Sequence, residues 1–393
     1  MEFAPVAQWI EHWSSEPGVV RSNRTGCTKK MESAQLVLFL YPEPTLALLY
    51  TEFMDMKTGI WLKDYTTMRL GGPAEFMAVI ETPEEARATV HNAKKRDLRW
   101  FVLGGGSNVV AHDEGFDGVV ILNRIPGFEI IERTSGSVIL KIGAGENWDE
   151  VVKRTVDMNL SGIEAMSGIP GTAGAAPVQT VGAYGQEIAD VFTSLEAYDS
   201  QTDQFVTMNS EDCQFFYRDS IFRGSGKGRY IITSITLNLS TDPPTPPFYQ
   251  AVQQYLDSRG FTESITAQTI RDAVLAIRFE KLPDPKERPN AGSFFKNALV
   301  EKWLYDNLAK EYDTIPHYDM PDNIVKIPTG WLIEHAGYKG RTLHGIHVHD
   351  KNALVLINES ASSYADLAAA RDEIISAVRD KFRIDIVQEP LEI

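Results

Sequence analysis

The sequence predicts an α+β protein with two or three domains. Its 393 residues are 43% apolar and 23% charged, which is ordinary for a globular protein and long enough for separate hydrophobic cores. From Ile60 onward, strand-like apolar runs alternate with amphipathic helical stretches, and two glycine-rich segments interrupt them. The last part of the chain, about a hundred residues, has the pattern of a compact α+β unit of its own.

Charge and cysteine content exclude several classes of protein. The net charge of −16 argues against nucleic-acid binding, which depends on a basic patch or stripe. The two cysteines, Cys27 and Cys213, cannot form a disulfide framework, which favours the reducing cytoplasm. The apolar run from Leu36 to Tyr50 is interrupted by Pro42 and Pro44 and is too short to span a membrane. We therefore expect a cytoplasmic protein without nucleic-acid or membrane partners. These observations do not bear on the oligomeric state, for which we expect a monomer.

Residues 1–56 differ from the rest of the chain, and we predict that this leader is disordered or not translated. The stretch from Trp13 to Lys30 shows no sustained helical or alternating period. The segment from Ala7 to Ser22 resembles the conceptual translation of a transfer-RNA gene, so an over-extended gene start is our hypothesis. The native protein would then begin at Met54 or Met56, and an intact mass that includes residue 1 would contradict this.

The first regular stretch leads into a glycine loop. Residues Tyr65 to Ala74 indicate a strand or turn, and Glu81 to Arg96 has the apolar spacing and the N-terminal acids of a helix. The apolar run from Trp100 to Leu103 is typical of a buried strand. This strand continues directly into Gly104, Gly105, Gly106, Ser107 and Asn108.

The loop from Gly104 to Asn108 has the composition of a phosphate-binding turn. A strand that ends in consecutive glycines can bring backbone N–H groups close to a phosphate or pyrophosphate. The loop lacks the G-x-G-x-x-G spacing of the dinucleotide-binding fold, because the strand-like runs Val109-Val110 and Gly118 to Leu122 follow it instead of a helix. A flexible turn is the alternative.

A second glycine-rich segment follows a predicted strand at Val138 to Gly143 and a predicted helix at Trp148 to Met158. It contains almost no bulky side chains, so we expect something large and flat to approach its backbone. A linker is the alternative, but linkers rarely contain interspersed Ile, Val, Pro and Tyr. The candidate cofactor-binding residues are Gly168, Ile169, Pro170, Gly171, Gly174, Gly182, Ala183, Tyr184 and Gly185.

More strands and helices are predicted before the C-terminal unit. The apolar patterns place the strands at Phe192 to Tyr198, Gln204 to Met208 and Arg229 to Leu239, and the helices at Phe248 to Arg259 and Ile265 to Glu280.

Arg218 lies among aromatic residues and is followed by Asp219. This pattern allows two interpretations, a buried ion pair with Asp219 or a guanidinium held rigid for an anion. From this stretch alone we favour the ion pair.

The stretch from Asn290 to Asn297 combines small residues, a hydroxyl, two aromatics and a cation. Ala291-Gly292 lets a backbone or a flat ligand come close, and Phe294-Phe295 can anchor the stretch in a core. Ser293 would then be fixed but accessible. By itself, the stretch favours a loop that enters a helix with Ser293 as the N-cap.

The C-terminal unit is predicted to contain a short helix, a strand, a long helix and a final strand. These lie at Gly330 to Gly337, Ala353 to Asn358, Tyr364 to Phe382 and Ile384 to Pro390. The histidines at positions 344, 347 and 349 alternate along the chain, a pattern more typical of a surface than of a metal site, so we assign no metal.

Three separated motifs together resemble the UDP-N-acetylenolpyruvoylglucosamine reductase family, over about Leu62 to Ile393. Their order and combination carry the resemblance. The motifs are the loop Gly104 to Asn108, the segment Gly168 to Gly185, and the combination of Tyr217 to Ser220 with Asn290 to Asn297. The spacing between Arg218 and Ser293 resembles the longer type in this family, which has an inserted segment carrying a tyrosine, here Tyr249.

The resemblance implies an FAD-binding region of the vanillyl-alcohol-oxidase (PCMH) type in two subdomains, followed by an α+β substrate-binding domain. The subdomains would be residues 57–122, joined by a C-terminal strand at 384–393, and residues 123–280, with the substrate domain at 281–383. NADPH would reduce the FAD, and the enolpyruvyl group of the UDP-sugar substrate would then accept hydride, giving UDP-N-acetylmuramate for peptidoglycan.

The resemblance also assigns catalytic roles. Ser293 would give a proton to the enolate carbon of the substrate, and Arg218 and Glu389 would stabilise the enolate. Glu389 would be protonated while it does so, which needs a raised pKa. The match at Glu389 departs from the family pattern, because Gln388 replaces the usual proline. The implied substrate-binding residues are Tyr249, Lys281, Asn297 and Asn352, and Lys and Tyr suit a diphosphate.

Two other functions are carried forward. The first is a different flavin oxidase with the same cofactor cradle that acts on an alcohol or sugar. Such an oxidase would have no reason to keep Arg218, Ser293 and Glu389 together. Many of these oxidases also carry a histidine that links the flavin, whereas the sequence has none in residues 104–185 except His112. The second is a non-catalytic nucleotide-sugar binder, which would be colourless when purified.

Overall fold

The computed structural model of the protein describes residues 56–261 and 265–393. The sequence predictions for residues 1–55 therefore lie outside the described residues. Within the described ranges, no helix is long and apolar enough to cross a membrane.

The first part of the fold is a four-stranded sheet with the order β1-β2-β5-β3. Strand β5 runs parallel to both β2 and β3. Because β3 ends at Leu103, its carboxyl end leads straight into the Gly104 loop. The elements are β1 (Met56–Trp61), β2 (Pro73–Ile80), α1 (Pro83–Lys95), β3 (Trp100–Leu103), β4 (Val109–Val110) and β5 (Phe116–Asn123).

Helix α1 begins where its sequence predicts. Thr82 Oγ1 accepts a hydrogen bond from the Glu85 backbone N–H (3.2 Å), and the Glu85 carboxylate accepts one from the Thr82 N–H (3.2 Å). This reciprocal pair is a capping box, and Pro83 occupies the first turn, where its missing N–H costs nothing.

The second part is an antiparallel five-stranded sheet with the order β11-β10-β12-β7-β6. Short 3₁₀ turns at Ala173–Ala175 and Pro177–Gln179 carry the second glycine segment beside it. The elements are β6 (Phe128–Arg133), β7 (Ser137–Gly143), α2 (Trp148–Asp157), β8 (Gly182–Ala183), β9 (Gln186–Glu187), α3 (Ile188–Val191), β10 (Phe192–Asp199), β11 (Gln204–Met208), α4 (Ser210–Cys213), β12 (Tyr230–Ser240), α5 (Gln250–Ser258) and α6 (Ala267–Lys281).

The third part contains two small sheets with the orders β13-β19-β18-β17 and β14-β16-β15. Its elements are β13 (Asn290–Ser293), β14 (Ala298–Glu301), α7 (Lys302–Leu308), β15 (Tyr318–Asp319), β16 (Ile324–Ile327), α8 (Thr329–His335), β17 (Thr342–Leu343), β18 (Ile346–Val348), β19 (Val355–Asn358), α9 (Tyr364–Phe382) and β20 (Leu391–Glu392).

Two local predictions are wrong in this third part. Ser293 is not a helix N-cap, because Asn290–Ser293 pairs as a strand with β19, Ser293 facing Val355. The final strand is not at 384–390 but at Leu391–Glu392, where it pairs in parallel with β4. Residues 384–390 form only one isolated bridge, from Gln388 to Phe295, and Pro390 has no N–H to extend a ladder.

The first and third parts of the fold share a hydrophobic core. Met68, Leu70 and Val110 of the first part are buried in the same cluster as Phe294 and Phe295. Thr67 Oγ1 also donates a hydrogen bond to the Asn290 carbonyl (2.6 Å). The position of β13, and therefore of Ser293, is thus fixed against the first sheet by apolar packing.

Candidate active site

A cavity of about 600 Å³ lies between the two glycine segments and the C-terminal sheets. Most of the predicted site residues line it, although they come from all three parts of the fold. Gly168 and Gly185 are not among the lining residues. The predicted residues that do line the cavity are Gly104, Gly105, Gly106, Ser107, Asn108, Ile169, Pro170, Gly171, Gly174, Gly182, Ala183, Tyr184, Arg218, Tyr249, Lys281, Ser293, Asn297, Asn352 and Glu389.

The two glycine segments lie directly against each other. A Cβ on Gly104 would lie 2.5 Å from Thr172 Oγ1, and a Cβ on Gly105 would lie 2.8 Å from the Gly171 Cα. Ser107 Oγ donates a hydrogen bond to the Pro170 carbonyl (3.1 Å). Only glycine permits this approach, and the resulting wall of the cavity is bare backbone.

The backbone of Gly106 also requires glycine. Its φ is +64°, in the left-handed region, and a Cβ there would lie 1.9 Å from the Tyr65 carbonyl oxygen. Arg124 Nη1 donates to the Gly104 carbonyl (3.0 Å), which holds the start of the loop. The loop is therefore closely packed against Tyr65 and held at its start by Arg124.

Gly168 holds the second glycine segment in place from outside the cavity. Its N–H donates to Asp149 Oδ1 (2.6 Å), and its carbonyl accepts from Arg278 Nη2 (2.9 Å). Asp149 in turn pairs with Arg271 Nη1 (2.6 Å), a side chain that is 8% exposed. The segment is thus anchored on the charged side chains of helices α2 and α6.

Arg218 is held by the second glycine segment and lies beside Glu389. Its Nη1 donates to the Thr180 carbonyl (2.9 Å), and its Nη2 donates to the Gly182 carbonyl (2.7 Å). Its Nε lies 3.7 Å from Glu389 Oε1. The interpretation of Arg218 as the ion-pair partner of Asp219 is wrong, because among the described residues the carboxyl group beside its guanidinium is that of Glu389. Asp219 Oδ1 instead accepts the Ser220 N–H (2.9 Å).

Glu389 reaches the cavity from an extended segment that crosses the site. Its N–H donates to the Phe294 carbonyl (2.9 Å), and its own carbonyl accepts from Arg223 Nη1 (2.9 Å). Burial raises the pKa of the Glu389 carboxyl, and the nearby positive charges of Arg218, Arg223 and Lys296 only partly oppose this. The protonated form is therefore favoured more than in an exposed glutamate.

Ser293 lies on β13 with its side chain at the cavity. The neighbouring Phe294 and Phe295 are fully buried, with their rings 5.3 Å apart in an edge-to-face arrangement, and they anchor the strand. Gly292 has a φ of +71°, and no atom lies within 4 Å of a Cβ built on it, so this side of the strand is open. Ser293 Oγ makes no hydrogen bond to any residue in 56–261 or 265–393.

The four candidate substrate-binding residues also line the cavity. Tyr249 precedes helix α5 and packs edge-on against Tyr184, with ring centres 5.8 Å apart. A hydrogen bond with Tyr318 and burial raise the pKa of Tyr249 to about 12. Lys281 ends helix α6. Asn297 and Asn352 each use Oδ1 to accept a backbone N–H, from Thr329 (3.2 Å) and Leu354 (3.1 Å) respectively.

The cavity is locally basic although the chain is strongly acidic. Its charged lining residues are one acid, Glu389, and four bases, Arg218, Lys227, Arg278 and Lys281. The chain as a whole carries a net charge of −16. A basic cleft in an acidic protein concentrates anionic ligands at that one place.

Sequence reasoning missed several residues that support this site. Arg278 was missed although it lies three positions before Lys281 on α6, a spacing that places both on one helical face. Arg223 was missed because no local pattern links it to its partners, Gln179 Oε1 (3.0 Å) and the Glu389 carbonyl. Lys227 likewise has no motif that marks it as a lining residue.

No histidine is among the described residues that line this cavity. His347 Nε2 lies 3.1 Å from Asp350 Oδ2, and its Nδ1 lies 3.0 Å from Thr342 Oγ1. In the described part of the chain, no three or more His, Cys, Asp or Glu side chains are grouped so that they could hold a metal ion.

Comparisons with known proteins match both halves of the described chain. Residues 74–208 match a family model described as an FAD-binding domain, and residues 284–393 match one described as the C-terminal domain of UDP-N-acetylenolpyruvoylglucosamine reductase.

Curated relatives match over most of the length. UDP-N-acetylenolpyruvoylglucosamine reductase from Dechloromonas aromatica is 38% identical over 341 residues, which is 86% of this chain and 99% of the relative. The protein of the same name from Ralstonia nicotianae is 40% identical over 332 residues, covering 84% of this chain and 96% of the relative. A solved structure of this reductase from Thermus caldophilus has a TM-score of 0.59 at 22% identity, covering 86% of this chain and 99% of that one, and supports the fold.

Proposed function

The chain belongs to the UDP-N-acetylenolpyruvoylglucosamine reductase family, and on that premise we propose how its cavity performs the reaction of the family. The protein is an FAD-containing oxidoreductase of peptidoglycan precursor synthesis. With NADPH as reductant, it reduces the enolpyruvyl group of UDP-N-acetylglucosamine-enolpyruvate to give UDP-N-acetylmuramate. The observation that carries the proposed mechanism is that Ser293, Arg218 and Glu389 line the same cavity as both glycine segments.

The glycine segments fit FAD. Both segments line the cavity with backbone and small side chains, which suits the close approach of a flat ring system and a diphosphate. Residues Gly104 to Asn108 and Ile169 to Tyr184 would hold the cofactor, and Gly168 and Gly185 would shape the second segment. When bound, FAD supplies hydride transfer from NADPH to the substrate.

Ser293 is proposed as the proton donor. Addition of hydride to the terminal enolpyruvyl carbon leaves negative charge on the neighbouring carbon and its carboxylate, and this carbon must then accept a proton. Serine is a weak acid, but an enolate is basic enough to take its proton. The support for this role is that Ser293 Oγ lies at the cavity on a well-anchored strand and makes no hydrogen bond within the described residues.

Arg218 and Glu389 are proposed to stabilise the developing enolate. Two guanidinium nitrogens of Arg218 are already bound to backbone carbonyls, so its orientation is fixed before substrate arrives. A protonated Glu389 would donate a hydrogen bond to the substrate carboxylate, whereas an ionised one would repel it. The burial that raises the pKa of Glu389 supports the protonated form.

The outer residues are proposed to bind the UDP part of the substrate. Lys281 and Tyr249 would contact the diphosphate, the lysine as a charge and the tyrosine as a hydrogen-bond donor. Asn297 and Asn352 would present their amides to the ligand in a fixed orientation, because each Oδ1 accepts a backbone N–H. The Asn297 side chain also hydrogen-bonds Tyr217.

The finer organisation is also proposed. The FAD-binding part would comprise residues 57–122, completed by 384–393, together with 123–280, and residues 281–383 would bind substrate. We place the enzyme in the cytoplasm because NADPH is present there. The cytoplasm is also reducing, so cysteines remain free thiols in it. A monomer is expected because one chain supplies every residue assigned to the site, and gel filtration would test this.

An absorption spectrum recorded during stepwise anaerobic additions tests the function. The purified protein should show flavin absorption, lose it when NADPH is added, and regain it when the enolpyruvyl substrate is added. A colourless protein would favour the nucleotide-sugar binder. Reduction by an alcohol or sugar instead of NADPH would favour the other flavin oxidase.

A further inference from the structure

The segment that carries Glu389 joins the strand of Ser293 to the first glycine loop. We call residues 387–393 the returning segment. On one side, the Lys296 N–H donates to the Val387 carbonyl (2.9 Å), and the Glu389 N–H donates to the Phe294 carbonyl (2.9 Å). On the other, the Leu391 N–H donates to the Asn108 carbonyl (3.0 Å). Any shift of this segment would therefore move Glu389 relative to both sides of the cavity.

The side chains of the returning segment alternate between two faces. Glu389 and Leu391 line the cavity, whereas Gln388 and Glu392 contact residues of helix α9. Such alternation is the normal geometry of extended backbone, in which successive side chains point to opposite sides. Contacts of Gln388 and Glu392 with α9 can therefore fix the position of Glu389 on the side away from the cavity.

Arg371 of α9 binds both side chains of this second face. Its Nη1 donates to Gln388 Oε1 (3.0 Å) and to Glu392 Oε1 (2.7 Å), which brackets Glu389 between two contacts of a single nitrogen. Arg371 Nη1 also lies 3.2 Å from Tyr364 Oη, and Arg371 Nε lies 2.8 Å from Asp372 Oδ1. The Arg371 side chain is 19% exposed, whereas its partners Glu392 and Asp372 are 37% and 64% exposed, so the arginine is the more enclosed member of each pair.

The contacts around Arg371 leave the returning segment little freedom. Gln388 Nε2 donates to the Pro390 carbonyl (2.9 Å) and to Glu392 Oε1 (3.2 Å). Glu392 also accepts from Tyr364 Oη (2.7 Å), and its Oε2 lies 3.3 Å from His112 Nε2. The network therefore connects the returning segment to α9 and to the first part of the fold.

We infer that Arg371 is a positioning residue for Glu389, acting through Gln388 and Glu392 without touching the substrate. This inference rests on the proposed role of Glu389. Misplacement of a catalytic group by about 1 Å can slow a reaction by about 10²-fold, even when the changed residue is remote from the chemistry. Arg371 should then matter for the step that uses Glu389 and much less for the reduction of FAD by NADPH.

The test compares Arg371→Met with Arg379→Met in the FAD-loaded enzyme. Arg379 lies on the same helix, is 55% exposed and pairs with Asp385, so its loss controls for removal of a charge from α9. For Arg371→Met, we expect flavin reoxidation at saturating substrate to slow by about 10 to 100-fold per bound FAD. Flavin reduction by NADPH should change little in either variant. Arg371→Lys should recover part of the lost rate, because it keeps a donor for one of the two contacts.

A double-mutant cycle with Glu392→Gln keeps the inference testable if Arg371→Met folds poorly. The losses from Arg371→Lys and Glu392→Gln should be strongly non-additive, because both variants weaken one network. A reoxidation rate in Arg371→Met equal to that of Arg379→Met, or equal losses in both half-reactions, would overturn the inference. Wild-type enzyme that is not reoxidised by the enolpyruvyl substrate would instead overturn the proposed function.

Discussion

Arg218 Nε lies 3.7 Å from Glu389 Oε1, and both side chains are largely buried at the cavity. This separation is longer than a hydrogen bond, so the guanidinium and the carboxyl are neighbours without being hydrogen-bonded to each other. The other guanidinium nitrogens bind the Thr180 and Gly182 carbonyls. The pair therefore places a fixed positive charge and an acid with a raised pKa side by side, which is the combination that an enolate with its carboxylate requires.

Replacement of Arg218 by lysine should lower turnover strongly. Lysine keeps the charge but cannot make both carbonyl contacts and face the substrate as well. We expect flavin reoxidation by substrate to slow by about 10² to 10³-fold, the usual cost of removing a preorganised donor. Stopped-flow measurement of each half-reaction would show this. Arg133→Lys, at an exposed position on β6, is the matched control, and equal rates in the two variants would leave Arg218 only a structural role.

Replacement of Ser293 by alanine should separate the two half-reactions. NADPH should reduce the flavin at a normal rate, because Ser293 has no proposed part in that step. Reoxidation by substrate should slow by about 10² to 10⁴-fold, the range for loss of a general acid. The control is Ser225→Ala, which removes an exposed serine from the loop before β12. Unchanged reoxidation in Ser293→Ala would exclude the serine as proton donor.

The raised pKa of Glu389 predicts a pH dependence with a definite sign. The protonated form exists below this pKa, so reoxidation by substrate should fall as pH rises through it. Glu389→Gln keeps a neutral hydrogen-bond donor and should lose this fall while retaining measurable activity. Glu129→Gln, at an exposed site on β6, serves as the control. A fall of the same size in Glu389→Gln would assign the titration to another group.

The same shift affects stability. A carboxyl whose pKa is raised on folding contributes stability at low pH, and this contribution is lost as pH rises from its unfolded to its folded pKa. Glu389→Gln should therefore gain melting temperature relative to wild type at high pH and not at low pH. Thermal melts over a pH series would measure the difference.

Loss of Arg271 should destabilise the second glycine segment. Arg271 binds both carboxylate oxygens of Asp149, at 2.6 and 3.0 Å, and Ser167 Oγ at 2.9 Å. Because Arg271→Met would leave Asp149 partly buried without its partner, we expect a loss of about 3 kcal/mol in the free energy of unfolding. Denaturant titration of the FAD-free protein would measure it, with Arg379→Met as an exposed control on α9.

The Asp149 pair also predicts loss of stability in acid. Burial favours the neutral form of Asp149, but the hydrogen bonds from Arg271 and from the Gly168 N–H outweigh it and lower the pKa of the carboxyl. The stability that the pair contributes should therefore be present above the unfolded pKa and be lost as pH falls through the folded one. The difference between wild type and Arg271→Met should shrink over that acidic range.

Patterns within single elements predicted much of the fold. Thr82, Pro83 and Glu85 mark the start of α1 by local chemistry alone, and the structure has the helix there. Such signals fail where the partner is distant. Asn290–Ser293 forms a strand because β19 lies beside it, and nothing within the stretch indicates that pairing.

The residues of the candidate site also divide into those that a sequence motif marks and those that it does not. Arg218, Ser293 and Glu389 were found because each lies in a motif that resembles the family, whereas composition alone favoured an ion pair and an N-cap for the first two. Arg223 and Arg371 lie in no such motif. Their contacts are with residues distant in the sequence, which no local pattern indicates.

With the domain bounds proposed above, the chain crosses between the FAD-binding part and the C-terminal unit twice, first through residues 281–289 and again through the returning segment. A body attached at two separate points cannot swing as it would on a single flexible linker, because any rotation is confined to the line through both attachments. The shared core around Met68 and Phe294 resists that rotation as well. We therefore expect ligands to enter and leave by local movement at the mouth of the cavity, around Tyr249, while the two halves stay closed against each other.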